Sequence, residues 1–309
     1  MARGTEEGVT GVLLVDKPAG PTSHDIVSDV RRALRIRRVG HAGTLDPFAT
    51  GLLLLCVGHA TRLVRYLHLL DKRYSARLRL GAETSTHDPE GEVVSRSEGW
   101  RRVGRDDLQG ALASFVGEIE QVPPAFSAVR VEGRRAHRVA RAGGAVELEP
   151  RRVRVASLRL AAFEAPEAEV EAVVGTGTYV RALARDLGRR LGCGAHLVGL
   201  RRTEVGPFGV ERALAPGEVA ELGPGGVAGS TAWLSPAEAL AWLPARDLSE
   251  DEVERVRHGG RVAAGLGAGN AGAEAGAAGF VALLHEGELV AVAERADGSL
   301  QPRTVLVGA

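Results

Sequence analysis

What the 309-residue chain lacks already excludes several kinds of protein. Its two cysteines, Cys56 and Cys193, make neither a disulfide framework nor a cysteine-based zinc site, which fits a reducing compartment. Its nine histidines are scattered, with no H-x-x-x-H or H-E-x-x-H arrangement, so no metal site is expected. The longest apolar run, Leu52 to Val57, falls far short of the roughly 20 residues that span a bilayer. The N-terminal MARGTEEG has no apolar segment of signal-peptide type. Walker A, nucleophile-elbow and zinc motifs are missing, and the residues show no sign of a cofactor. Net charge is the last absence, because 39 Lys and Arg balance 39 Asp and Glu. Neutrality argues at first against nucleic acid as a partner. The expectation is a cytoplasmic globular protein of roughly two domains, away from membranes.

The neutrality is a sum of opposites. Residues 215–309 hold six arginines and no lysine against 13 carboxylates, while residues 1–214 hold 33 basic and 26 acidic side chains. The balances are thus −7 and +7. From Arg31 to Arg79 only Asp46 and Asp71 face eleven basic residues, and a second basic stretch runs from Arg130 to Arg154. Such asymmetry suggests a polyanion-binding face, and fits a solvated surface with scattered salt bridges equally well. Arginine outnumbers lysine 37 to 2, and its planar fork binds phosphate bidentately and stacks on bases.

Gly11 to Asp16 and Leu52 to Val57 read as buried strands. Between them, Lys17-Pro18-Ala19-Gly20-Pro21 is turn chemistry. A helix follows, with Thr22 or Ser23 as N-cap and Ile26, Val27, Val30 and Leu34 as its apolar stripe. Val39 to Gly51 has almost no element-forming pattern, and Ala60 to Leu67 marks another helix. Tyr74 to Leu80 alternates apolar with basic residues, the mark of a strand. Thr84 to Gly91 is a polar loop, with helices expected at Asp106 to Phe115 and Thr178 to Leu191. Val153 to Leu160, Ala168 to Val174 and Leu197 to Val205 read as strands. Strand and helix intermix without a regular βα period, which favours α+β over a doubly wound sheet. After about Pro244 the composition shifts. Ala263 to Gly279 is low-complexity, and Phe280 to Leu284, Leu289 to Ala293 and Thr304 to Val307 read as strands of a small β-rich module.

Two segments carry candidate chemistry. In Gly40-His41-Ala42-Gly43-Thr44-Leu45-Asp46-Pro47-Phe48-Ala49-Thr50-Gly51, glycines and proline permit unusual backbone. Asp46 lies there in the most basic region of the chain. An acid among arginines is held ionised, which suits a nucleophile or base, although Asp before Pro is also an ordinary turn residue. His41 suits a base, or a ring packed against a substrate. Gly175-Thr176-Gly177-Thr178-Tyr179-Val180-Arg181 puts an aromatic ring and a fixed cation at the start of a helix. As a nucleotide fingerprint it lacks the third glycine, and a core tyrosine with a surface arginine also fits.

Four segments together, GVLLVDKPAGPTSHD, GHAGTLDPFATGLL, DKRYSARLRLG and GTGTYVRALARDLG, resemble in order and spacing the signatures of the bacterial tRNA pseudouridine synthase B family. PPAFSAVRVEGRRAHRVAR and LGCGAHLVGLRR resemble two further family stretches, and the likeness covers roughly residues 10–212. It implies a pseudouridine synthase fold with a mixed, mainly antiparallel central sheet. The expected domains are a catalytic domain at 1–243, with a basic thumb-like insertion at about 124–152, and a PUA-like RNA-binding module at 244–309 containing the Gly/Ala-rich loop 263–279. The implied function is isomerisation of the uridine at position 55, in the T loop of tRNA, by base flipping and without cofactor. The implied partner is the T-arm stem-loop, met by a monomer. Residue by residue, the resemblance makes Asp46 the catalytic aspartate and Arg181 its partner. His41 helps to hold the flipped uridine, Tyr74 packs against the target base, Tyr179 and Leu200 line the uracil pocket, and Lys17 and Pro18 shape the cleft. Phe126 stands where many relatives have Tyr, and His137 where an aromatic is usual. Two other readings stay open: a non-catalytic RNA-binding protein using the same basic cleft, and a nucleotide-dependent enzyme built on Gly175 to Tyr179.

Overall fold

The computed structural model describes residues 9–127, 130–131, 134–135, 148–264 and 279–306. Most of the basic insertion expected at 124–152, with His137, and most of the Gly/Ala-rich run lie outside the described residues. The chain divides into two compact units. Met1–Pro47, Gly51–Leu70 and Pro207–Ala309 form the first, and Phe48–Thr50 with Asp71–Gly206 the second.

The first unit begins with β1 (Gly11–Lys17) and α1 (Ser23–Leu34). Thr22 caps α1 in a capping box, its hydroxyl accepting from the Asp25 N–H while the Asp25 carboxylate accepts from the Thr22 N–H. The predicted stripe Ile26, Val27, Val30 and Leu34 is buried. β2 (Val39–His41) and β3 (Thr50–Val57) follow. β1 and β3 run antiparallel with Gly11 opposite Val57 and Lys17 opposite Gly51, and β2 pairs β3 with His41 opposite Leu55. β3 is buried without a break from Gly51 to Val57, so both of its faces are covered, which is why it reads as a continuous apolar run. The helix expected at 60–67 is a 3-10 stretch, Gly58–Leu63, entering one α-turn, Val64–Leu67.

The second unit contains β4 (Lys72–Leu80), the hairpin β5 (Ala82–Thr84) and β6 (Val93–Arg96), α2 (Arg105–Ala113), β7 (Gly117–Gln121), β8 (Arg151–Glu164), β9 (Glu167–Val174), α3 (Val180–Arg190) and β10 (Ala195–Val205). Its antiparallel sheet runs in the order β10-β4-β9-β8-β7. On β4 the predicted alternation holds: Ala76, Leu78 and Leu80 are buried, while Ser75, Arg77 and Arg79 are exposed. The basic face is tied to acid, however. Arg77 and Arg79 lie 3.9 and 4.0 Å from Glu167, and Arg73 donates to Glu204 at 2.8 Å. Val180, Leu183, Ala184 and Leu187 of α3 pack over Ala76 and Leu78. A Cβ on Gly188 would come within 2.1 Å of the Ala195 nitrogen, so only glycine allows α3 to return this tightly into β10.

The chain then returns to the first unit. α4 (Pro216–Ala228) is broken at Gly223, φ 61°, just before Pro224, and β11 (Trp233–Leu234) adds to β1. A five-stranded sheet follows, built from β12 (Ala245–Asp247), β13 (Val262–Ala263), β14 (Phe280–His285), β15 (Glu288–Ala296) and β16 (Ser299–Val305), with α5 (Glu250–Arg257) between β12 and β13. Its order is β12-β14-β15-β16-β13, and β12–β14 is its parallel pair. Val253 and Val256 of α5 pack with Val281, Leu283, Val290 and Leu300 in its core. Tyr66 fastens this sheet to the N-terminal part of the unit. Its hydroxyl lies 2.8 Å from Thr304 Oγ1 and its ring meets the Phe280 ring edge-on at 5.1 Å. Arg62 Nη1 donates to the Val305 carbonyl at 2.7 Å. The fold is α+β, with mainly antiparallel sheets and a β-rich C-terminal part, as expected. No helix among the described residues is long and apolar enough to cross a membrane.

Candidate active site

Lys17, His41 and Asp46 lie in the first unit, Tyr74, Tyr179, Arg181 and Leu200 in the second. His41 ends β2, and the Ala42 N–H continues the ladder to the Leu54 carbonyl at 2.9 Å. Gly43, φ 101°, then turns the chain through a conformation that a side chain would strain. Beyond it, Ser23 Oγ both accepts from the Leu45 N–H at 2.9 Å and donates to the Leu45 carbonyl at 3.0 Å. The Pro47 carbonyl accepts from the Gly20 N–H at 2.8 Å and from Lys17 Nζ at 3.1 Å. Lys17 is fully buried, and it also donates to the Pro18 carbonyl at 2.8 Å. A buried ammonium needs such acceptors, so it is held as firmly as it holds. Half-buried Asp46 therefore sits between two anchored residues.

Arg181, in the first turn of α3, is 5% exposed, so it is not a surface arginine. Its Nη1 donates to Asp88 Oδ2 and to the Thr86 carbonyl, each at 3.1 Å, and Nη2 donates to the Phe126 carbonyl at 2.9 Å. The Asp88 side chain is 3% exposed. Its other oxygen accepts from the Thr86 hydroxyl and, at 3.0 Å, from the Glu90 N–H. The expected polar loop is thus the tip of the β5–β6 hairpin, strapped along α3. Arg189, two turns beyond Arg181, grips Glu83 with two bonds of 3.1 and 3.0 Å. Between them Arg185 donates to Asp186 and, at 2.9 Å, to the Val122 carbonyl. His87 sits in this row of cations with φ 61° and a buried Nδ1 that has no hydrogen-bond partner among the described residues. Burial above all, and then Arg185 and Arg189, push its pKa down to about 4.

Gln121 holds Tyr179 by its backbone, its Oε1 accepting from the Tyr179 N–H at 2.9 Å and its Nε2 donating to the carbonyl at 3.2 Å. Tyr74 packs against Val155, Ala172, Val174 and Leu183. Leu200 lies opposite Ala76 and Arg202 opposite Tyr74, which places Tyr74 and Leu200 on one sheet face. Sequence reasoning missed Ser23 as a loop anchor, Gln121 and Asp88. The only hint for Asp88 was its place in a polar loop between two patterned segments. Among the described residues no group of three His, Cys, Asp or Glu is arranged to hold a metal.

Residues 31–180 match the family model described as TruB family pseudouridylate synthase (N terminal domain). Residues 181–221 match the one described as tRNA pseudouridylate synthase B C-terminal domain. A Thermobifida fusca protein named tRNA pseudouridine synthase B is 44% identical over 308 residues, spanning 96% of this chain and 99% of the relative. The chain belongs to the TruB family. A second TruB relative, the Arthrobacter sp. protein of the same name, is 42% identical over 301 residues and covers 95% of each chain. Among solved structures, the chain is similar to one in the archaeal box H/ACA sRNP Nop10-Cbf5 complex, with a TM-score of 0.71 and 25% identity over 96% of this chain and 86% of that one. As a TruB-family enzyme it is a pseudouridine synthase, an isomerase. The β-rich part after Ala245 lies beyond both family models, yet the likeness to the Thermobifida fusca protein runs through nearly the whole chain.

Proposed function

We propose that this enzyme converts the uridine at position 55, in the T loop of tRNA, to pseudouridine, with Asp46 as its catalytic carboxylate. The reading is carried by the 44% identity, over 96% of the chain, to a protein named tRNA pseudouridine synthase B. The position in tRNA and the residue roles follow the resemblance of the Asp-centred loop and its companion segments.

The reaction breaks the N1–C1′ bond, turns the uracil and joins C1′ to C5. The C5 proton leaves and N1, freed from C1′, gains a proton, so substrate and product have the same composition and no redox equivalent is consumed. Attack at C6, attack at C1′ and removal of a ribose proton all require an ionised carboxylate, which is the role given to Asp46. Arg181 is its cationic partner. The bonds from Asp88, Thr86 and Phe126 support that role, because a charge already fixed needs no reorganisation during reaction. Extruding the target base costs about a few kcal/mol. Tyr74 and His41 offset part of it by stacking, which contributes about 1–3 kcal/mol per base. Tyr179 and Leu200 line the uracil pocket, and Lys17 holds the Asp46 loop through Pro47. The enzyme acts in the cytoplasm as a monomer on the T-arm stem-loop, without a cofactor.

A T-arm transcript tritiated at uridine C5 tests this. Wild type should release tritium, and Asp46→Asn should slow release by at least about a thousandfold while leaving RNA affinity within a few fold. Normal release by the variant removes Asp46 from the mechanism. Binding without release by the wild type marks a non-catalytic RNA-binding protein.

A further inference from the structure

We propose that Ser23 is a positioning residue for Asp46, its single hydroxyl fixing the peptide that leads into the catalytic carboxylate. The proposal rests on Asp46 being that carboxylate. Ser23 is the first residue of α1, a place where a serine usually serves the helix end, but here Thr22 does so. Ser23 is 2% exposed, and its hydroxyl reaches across 22 residues to Leu45. Leu45 is buried and outside any strand, so its N–H and carbonyl have no ladder to join. Buried backbone groups need partners. A hydroxyl gives and takes a hydrogen bond at one atom, and so satisfies both.

The geometry restrains Asp46 from both sides. The Leu45 carbonyl belongs to the planar peptide that carries the Asp46 nitrogen, so fixing it fixes where Asp46 begins. On the far side the Pro47 ring sets its own φ, and the Pro47 carbonyl is held by the Gly20 N–H at 2.8 Å. All the anchors lie between Lys17 and Ser23, so one short stretch holds the loop at both ends. Misplacing a reacting group by about 1 Å can lower a rate about a hundredfold.

The test measures tritium release in a single turnover, with enzyme in excess, beside the dissociation constant for the T-arm transcript. Ser23→Ala and Ser23→Cys should lower the rate constant by about 30–100-fold and leave the dissociation constant within about threefold. Cysteine keeps the volume while losing the strong hydrogen bonds, so it separates the hydroxyl from a cavity, and it carries the test if the alanine variant fails to fold. Thr22→Ala breaks the cap of the same helix without touching Leu45. It should lower the melting temperature as much and keep the rate within about twofold. Wild-type rates in both Ser23 variants overturn the proposal, as does a Thr22→Ala rate that falls as far as theirs. Asp46→Asn run alongside keeps the underlying assignment separate. A dead Asp46→Asn beside fully active Ser23 variants rejects the clamp alone, whereas an active Asp46→Asn rejects the carboxylate assignment itself.

Discussion

Arg181 directs its guanidinium to Asp88, Thr86 and Phe126, and all of these contacts are made inside the protein before any substrate arrives. His87, next to Asp88, makes the same loop sensitive to acid. Its pKa is about 4 in the folded protein against an ordinary 6.5, so folding favours the neutral ring. The unfolded chain binds the proton first as pH falls, and the stability His87 contributes is complete above about 6.5 and lost between there and about 4. After allowance for solvent screening the loss is about 1 kcal/mol, or about 2 °C in melting temperature at pH 5 relative to pH 7.5. His87→Asn, which tolerates the left-handed backbone, should remove about that much of the acid-induced fall. An unchanged difference between the two pH values would exclude His87 as its source.

At the scale of elements, Gln121 ends an edge strand and fastens the start of α3 through Tyr179. Gln121→Ala leaves the Tyr179 N–H without that acceptor. It should cost about 1–3 kcal/mol of stability and lower kcat/KM by about tenfold, since the residue it releases lines the proposed uracil pocket. A thermal melt beside steady-state kinetics checks both, and an unchanged kcat/KM would show that Tyr179 needs no such anchor. Strands with a buried face read clearly from sequence, among them β1, β3, β4, β9, β10 and β15. Edge strand β7, GEIEQ, and the fully exposed β6 carry no such pattern and could not be read. α4 was hidden by its glycines and Pro224. Asp46, His41 and Arg181 stood out because motif and local charge mark them. Ser23, Asp88 and Gln121 act through partners 22, 93 and 58 residues away, a pairing that only the fold creates.

Over the whole molecule the neutral charge is best followed arginine by arginine. On β4, Arg73, Arg77 and Arg79 face Glu204 and Glu167, and in the C-terminal sheet Arg303 faces Glu294. Around α1 and the 3-10 stretch Arg32 lies 3.4 Å from Asp29, but three other arginines have neutral partners. Arg31 donates to the Val39 carbonyl, Arg38 to Thr61, and Arg65 lies 5.5 Å from the centre of the Tyr66 ring. Those positive charges remain available to phosphates. Arg35, which ends α1, is exposed like Arg38 and Arg65, and replacing these three together with Gln should weaken RNA binding and flatten the slope of log affinity against log salt by about 2. The same change at Arg73, Arg77 and Arg79 should shift that slope by less than about 1, because those side chains are already engaged. Equal slopes for the two triple variants would refute the distinction.

The central claim is tested most directly by incubating an unmodified tRNA transcript with the purified enzyme, without added cofactor, and mapping pseudouridine along it. Wild type should form pseudouridine at position 55 and Asp46→Asn none. Pseudouridine elsewhere instead, or at position 55 with the Asn variant, would contradict the claim.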